Sequence, residues 1–254
     1  RLVYETIVEH PITRFLAVFS LADEVVKIGP IRSARPFYVD WAKEFNGPYL
    51  HVGGSDAAIE NLNATYDFNL DEFYNAQYFY RDNYRSAPHN VFTSSALVKE
   101  AIKGKGWTIQ NNFLPWKYNE EIPAEGEVKS VEVNFKTSDF FVRWEYDVTT
   151  KEYVRYQRNK VHADTEGNEI RAKNVVVLYT DSEIIDGYGR LQTRTIGSGQ
   201  ALIFRNGEVI EGLWQRNNLT ERTRFFNKDG SEVLFNVGKT WIEVVTPIWA
   251  EIKY

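Results

Sequence analysis

The chain has 254 residues, enough for one large domain or two modest ones with a real core, and 43% hydrophobic with 26% charged residues is ordinary globular usage. A formal net charge of −5 with no basic stripe argues against nucleic acid as a partner, and the absence of cysteine excludes disulfides, zinc thiolate sites and a cysteine nucleophile. No run of about 18 apolar residues is present to form a membrane-spanning helix.

Aromatic residues stand at 15%, which suits a β-heavy protein because these side chains pack well on pleated surfaces. Residues 2–8 (LVYETIV) and 14–19 (RFLAVF) read as strands, with a turn at His10-Pro11. A segment between two prolines follows, GPIRSARP at 29–36. After it Phe37, Val39, Trp41, Ala42 and Phe45 give a helical stripe ended by Asn46-Gly47. PYLHVGGS (48–55) reads as a buried strand, with Ser55 the N-cap of a helix over 56–64. Residues 70–80 fit either a helix or an irregular aromatic segment. SSALVKEAIK (94–103) is a helix with a serine cap, closed by Gly104 and Gly106.

The texture changes at 115–127, rich in Pro, Glu and Gly. Beyond it nearly everything reads as strand: 128–135, two strands within 140–159 around a turn at 147–151, and an interior strand at 174–180. Asn206-Gly207, between alternating runs at 201–214, is a hairpin signal, and Asp229-Gly230 at 223–235 repeats it. TWIEVVTPIWAEI closes the chain. The expected fold is α+β, a layered sandwich: a mixed α/β N-terminal domain over 1–118, a linker over 119–126 and a β-rich C-terminal domain over 127–254, with room for strands shared between the two.

Three polar stretches carry the candidate chemistry. Arg32 and Arg35 form a pair of guanidinium forks able to grip a carboxylate or phosphate, or to pair with the acids of the fold itself. HVGGS at 51–55 places a glycine pair before a helix start, where backbone N–H groups can meet an anion or the chain can simply turn. YRDNYRSAPHNVFTSS at 80–95 gathers Arg81, Asp82, Arg85, His89 and Asn90. There a histidine beside an acid can serve as a general base, or Asp82 can pair locally with Arg85. The sequence holds no HxH, HExxH, DxDxDG, P-loop or GxSxG pattern, so it names no metal, cofactor or serine nucleophile.

Taken in order, GPIRSARP, HVGGS, YRD with APHNVFTS, GSGQALIFRNGEVIEGLW (197–214) and GKTWIEVV (238–245) resemble the YerB-like lipoproteins, a bacterial envelope family classed as a domain of unknown function. The resemblance covers most of the chain. It implies a mixed α/β domain followed by a smaller β-rich one, export, and anchoring through a lipobox cysteine. This chain has no cysteine and starts at Arg1, so the anchor is expected upstream, leaving an extracytoplasmic, membrane-associated protein. The family carries no established activity. Arg32, Arg35, His51, Arg81, His89 and Asn90 all lie on the matching motifs and form the expected ligand-binding set. The leading expectation is a non-catalytic binding or scaffold protein that takes an anionic ligand, a cell-wall fragment or a segment of an envelope protein. The rival is a secreted hydrolase of a cell-wall glycan or phosphodiester, with His89 or His51 as acid/base and Asp82 orienting it.

Overall fold

A computed structural model describes residues 1–9, 11–110, 113–119, 126–128 and 130–254. His10 of the expected His10-Pro11 turn lies outside the described residues, as do residues 120–125 of the expected linker and Lys129. Among the described residues three α-helices stand among many strands, a β-rich α+β fold. The chain divides into two compact units. The first comprises residues 1–18, 115–218 and 223–254; the second comprises 19–114 and 219–222. The first 18 residues thus belong with the strand-rich remainder.

A seven-stranded sheet organises the first unit. Its order is Arg224–Asn227, Glu208–Arg216, Gly197–Arg205, Asn174–Tyr179, Thr240–Val245, β1 (Leu2–Glu9) and β2 (Ile12–Val18). Thr240–Val245 runs parallel to both of its neighbours, with Ile242 opposite Tyr4 on one side and Val176 on the other. The apolar runs explain this position. A strand buried on both faces reads as continuous hydrophobic sequence, and all six residues of Thr240–Val245 are buried. The expected Asn206-Gly207 hairpin is present, with φ of 50° and 70°, the left-handed pair that a two-residue turn requires. The Asp229-Gly230 turn also forms, but its second arm departs after Val233. Leu234–Asn236 pairs in parallel with Lys117–Asn119 instead.

A second sheet, of six strands, runs Lys160–Val161, Glu152–Gln157, Phe141–Asp147, Ser130–Asn134 and Glu251–Lys253, with Arg171–Ala172 also on Glu152–Gln157. Phe141–Asp147 alternates strictly and buries Val142, Trp144 and Tyr146. The two sheets touch through these rings: Trp144 meets Trp241 of the first sheet edge to face, with centroids 5.3 Å apart.

The second unit holds the helices. Pro36 opens α1 (Pro36–Ala42), and Arg35 before it is extended, φ −131° and ψ 146°, as the proline ring dictates. Phe37, Tyr38, Val39, Trp41 and Ala42 are all buried. Ser55 holds the N-cap position of α2 (Asp56–Thr65) without a side-chain cap bond, whereas Ser94 caps α3 (Ser95–Gly104) by accepting from Leu97 N at 3.2 Å. Residues 70–80 form no α-helix and are largely irregular. Asn69–Asp71 forms a short strand parallel to Tyr49–His51, and a single 3-10 turn follows at Ala76–Tyr78. Leu70, Phe79, Val91 and Ala101 make the core beneath. Residues 219–222 return to this unit, where the Arg222 guanidinium lies 5.0 Å from the Phe45 ring and 5.2 Å from Phe113.

Candidate functional site

Main-chain hydrogen bonds bring the three polar stretches of the second unit side by side. Ile28 and Thr93 exchange N–H···O bonds of 2.8 and 2.9 Å, and Ile31 N donates to Val91 O at 2.7 Å. On its other side the same segment takes Val52 N on Arg32 O (3.1 Å) and gives Ala34 N to Gly53 O (2.9 Å). Residues 28–34 are thus stitched between 91–93 and 52–55, a pairing that places 29–36, 51–55 and 80–94 in one patch.

The side chains of the expected set then divide by depth. Arg35 is 7% exposed and gives Nη1 to the carbonyl of Ala34, while His51 is 1% exposed. The His51 ring lies with Nδ1 2.7 Å from Gly53 O and Nε2 2.7 Å from Asn69 Oδ1, stacked on Tyr49. These two side chains brace the loops from within. Arg32, Arg81, His89 and Asn90 reach the surface side. Arg32 Nη1 is 2.9 Å from His89 Nδ1. Arg81 spans two loops, giving Nη2 to Glu72 Oε1 (2.9 Å) and Nη1 to Asn90 Oδ1 (3.2 Å).

Asp82 is committed elsewhere. Lys27 Nζ lies 2.6 Å from one of its oxygens and Tyr84 N donates to the other at 2.8 Å. The Lys27 ammonium and that amide hold its carboxyl below the usual carboxylate range. It therefore folds the 82–90 loop instead of orienting a histidine. The two histidines of the hydrolase reading face other groups: both ring nitrogens of His51 face Gly53 and Asn69, and His89 Nδ1 faces Arg32 Nη1. Among the described residues no group of three or more histidines and acids is placed to hold a metal.

A second polar cluster lies in the first unit, and the motif reading missed it. Glu5, Arg155 and Glu243 are all fully buried. Glu5 Oε2 accepts from Arg155 Nη2 at 2.7 Å and from Trp241 Nε1 at 3.2 Å, and its Oε1 accepts from Thr13 at 2.9 Å. Glu243 Oε1 accepts from Trp144 Nε1 at 2.9 Å. Burial first, and the Glu5 carboxylate second, push the Glu243 carboxyl well above its ordinary value, so it keeps its proton. The guanidinium of Arg155 is boxed by Trp241, Phe15 and Trp144 and also reaches His162 Nδ1 at 2.6 Å. Burial, then the Arg155 charge, lower His162 to about 4. With His162 and Glu243 neutral, Glu5 and Arg155 balance each other. The sequence did carry a signal: a lone charge inside an apolar strand run, as in TWIEVV and LVYETIV.

Residues 1–108 match the N-terminal domain, and residues 131–242 the C-terminal domain, of a family described as a protein of unknown function, DUF3048. The curated protein called "Putative lipoprotein YerB" of Bacillus subtilis (strain 168) is 32% identical, the match covering 96% of this chain and 74% of that one. The chain belongs to the DUF3048 family. The fold of this DUF3048 chain agrees with its sequence: the crystal structure of the YerB protein from Bacillus subtilis matches with a TM-score of 0.88 at 29% identity, over 100% of this chain and 86% of that one. The resemblance read from GPIRSARP, HVGGS and APHNVFTS is therefore borne out. No helix of the DUF3048 chain, among the described residues, is long and apolar enough to cross a membrane.

Proposed function

We propose that this protein is an extracytoplasmic binding or scaffold protein of the bacterial envelope, and that its second unit takes an anionic ligand, a cell-wall fragment or an acidic segment of an envelope protein. The relative named as a lipoprotein supports the setting, with a lipid anchor outside this chain holding it to the membrane. We further propose a layered sandwich as its scaffold, supported by the Trp144–Trp241 contact between the sheets.

One observation carries the ligand reading. In two ion pairs of the patch the acid lies beneath and the base above: Glu72 is 10% exposed under Arg81 at 50%, and Asp82 is 9% exposed under Lys27 at 34%. The carboxylates seat the cations and leave the outward face cationic, on a chain whose net charge is −5. Arg32, Arg81, His89 and Asn90 contact the ligand; Arg35 and His51 keep the loops in shape.

Isothermal titration with poly-L-glutamate and with inorganic polyphosphate tests this. Binding should weaken as ionic strength rises, since exposed charges are screened over about 8 Å at physiological salt. Arg81→Ala should weaken it about three- to ten-fold, the range for losing one charge-assisted contact. Absence of binding to both polymers would sink the reading.

A further inference from the structure

We infer that this cationic face of the second unit is a membrane-contact face whose anionic ligand is the phosphodiester headgroup layer of a lipid surface; the inference rests on the anion-binding reading above. Three observations lead to it.

The first is the exposure of aromatic rings beside the cations. Phe73 is 66% exposed, Tyr74 85% and Tyr84 100%. Phe73 and Tyr74 directly follow Glu72, the seat of Arg81. Tyr84 and Arg85 follow Asp82, the seat of Lys27. A bare phenylalanine ring gains free energy only where an apolar medium removes it from water, and a dissolved polyanion offers none. Tyrosines flanked by arginine and lysine are the side chains that settle at headgroup depth, with rings toward the acyl boundary and charges toward phosphate.

The second is the hydrogen-bonding inventory. The acceptors of the patch are already engaged: Glu72 and Asn90 Oδ1 by Arg81, and Asp82 by Lys27 and the Tyr84 amide. Beside them stand the charged side chains of Lys27, Arg81 and Arg85. A phosphodiester is an acceptor without donors and fits such a face. A protein segment also presents N–H groups, which would find few partners here.

The third is rigidity. Asp82 N donates to Asn90 O at 2.8 Å, Arg85 N to Asp82 O at 3.2 Å and His89 N to Ser86 O at 2.9 Å, so the loop bearing Tyr84 has a fixed course. Phe73 is held over Gly53, where a Cβ would approach the ring to 2.8 Å. A loop with a fixed backbone loses little freedom on docking.

Sedimentation with vesicles of phosphatidylcholine, with and without phosphatidylglycerol, tests the inference beside titrations with polyphosphate and poly-L-glutamate. The expected result is binding to the phosphatidylglycerol vesicles alone. Arg81→Glu and Arg85→Glu should each lower it about five-fold or more. Phe73→Ser and Tyr84→Ser together should lower vesicle binding about ten-fold and leave polyphosphate binding unchanged. Thermal unfolding confirms that these surface variants remain folded. Polyphosphate binding without vesicle binding overturns the membrane inference and leaves anion binding standing. Vesicle binding indifferent to the two ring substitutions overturns it as well. Tighter binding to poly-L-glutamate than to vesicles overturns it in favour of an acidic protein partner. Failure to bind any anion removes both readings.

Discussion

Glu243 occupies the middle of a strand with every residue buried, and it holds a proton there beside Glu5. Below the ordinary carboxyl value of 4.5, folded and unfolded chains both carry that proton. Above it the unfolded chain releases the proton while the folded chain keeps it, so stability falls as pH rises. Glu243→Gln removes this titration and preserves the acceptor for Trp144 Nε1. The variant should be more stable than the parent at about pH 8, with the gap closing toward about pH 5, as urea unfolding at the two values would show. A gap that widens toward acid contradicts the assignment of the proton. At this scale the sequence was half legible. Arg81, His89 and Asn90 could be picked out because they cluster in a polar loop. Glu5 and Glu243 could not be joined, because they are brought together by pairing across almost the whole chain.

Among the elements, those set by local chemistry were readable. α3 has its serine cap and closing glycine, and Asn206-Gly207 has its left-handed turn. Elements set by distant partners were not. The apparent second arm of the Asp229-Gly230 hairpin leaves to pair with Lys117–Asn119, a choice made by packing: Phe235 stacks on Trp116 at 4.6 Å and meets Phe225 edge to face. An asparagine fixes the same crossing. Asn174 gives Nδ2 to Asn236 O (3.0 Å) and to Thr240 Oγ1 (3.1 Å), and its Oδ1 accepts from Asn236 N (2.9 Å). The fully buried amide of Asn174 thus substitutes for a neighbouring backbone. Asn174→Leu should destabilise the protein by ~2–4 kcal/mol, because it strands a buried N–H and C=O of Asn236. A loss below ~0.5 kcal/mol in denaturant titration would show that another group satisfies them.

The whole molecule departs most from a left-to-right reading. The family's N-terminal domain covers residues 1–108, yet residues 1–18 fold into the sheet that Thr240–Val245 completes. Strand composition marks β1 as a strand, and nothing in a local window names its partner. Parallel pairing over such separation gives high contact order and slow folding. Native-state hydrogen exchange should therefore find the amides of β1, Asn174–Tyr179 and Thr240–Val245 among the slowest, opening together in the global transition. Exchange of β1 well ahead of the other two would show that it is an attached edge and not part of the central unit.

That discontinuity also bears on how the protein comes into being. A chain that emerges N-terminus first presents β1 long before Thr240–Val245 exists to receive it. The short strand pairings and the Leu70–Phe79–Val91–Ala101 core of the second unit lie within residues 49–101 and can form meanwhile. The first strand must wait as an open, apolar edge, a hazard for pairing with the wrong chain. The interval between emergence of residues 2–9 and of residues 240–245 is when the chain most depends on protection by other factors.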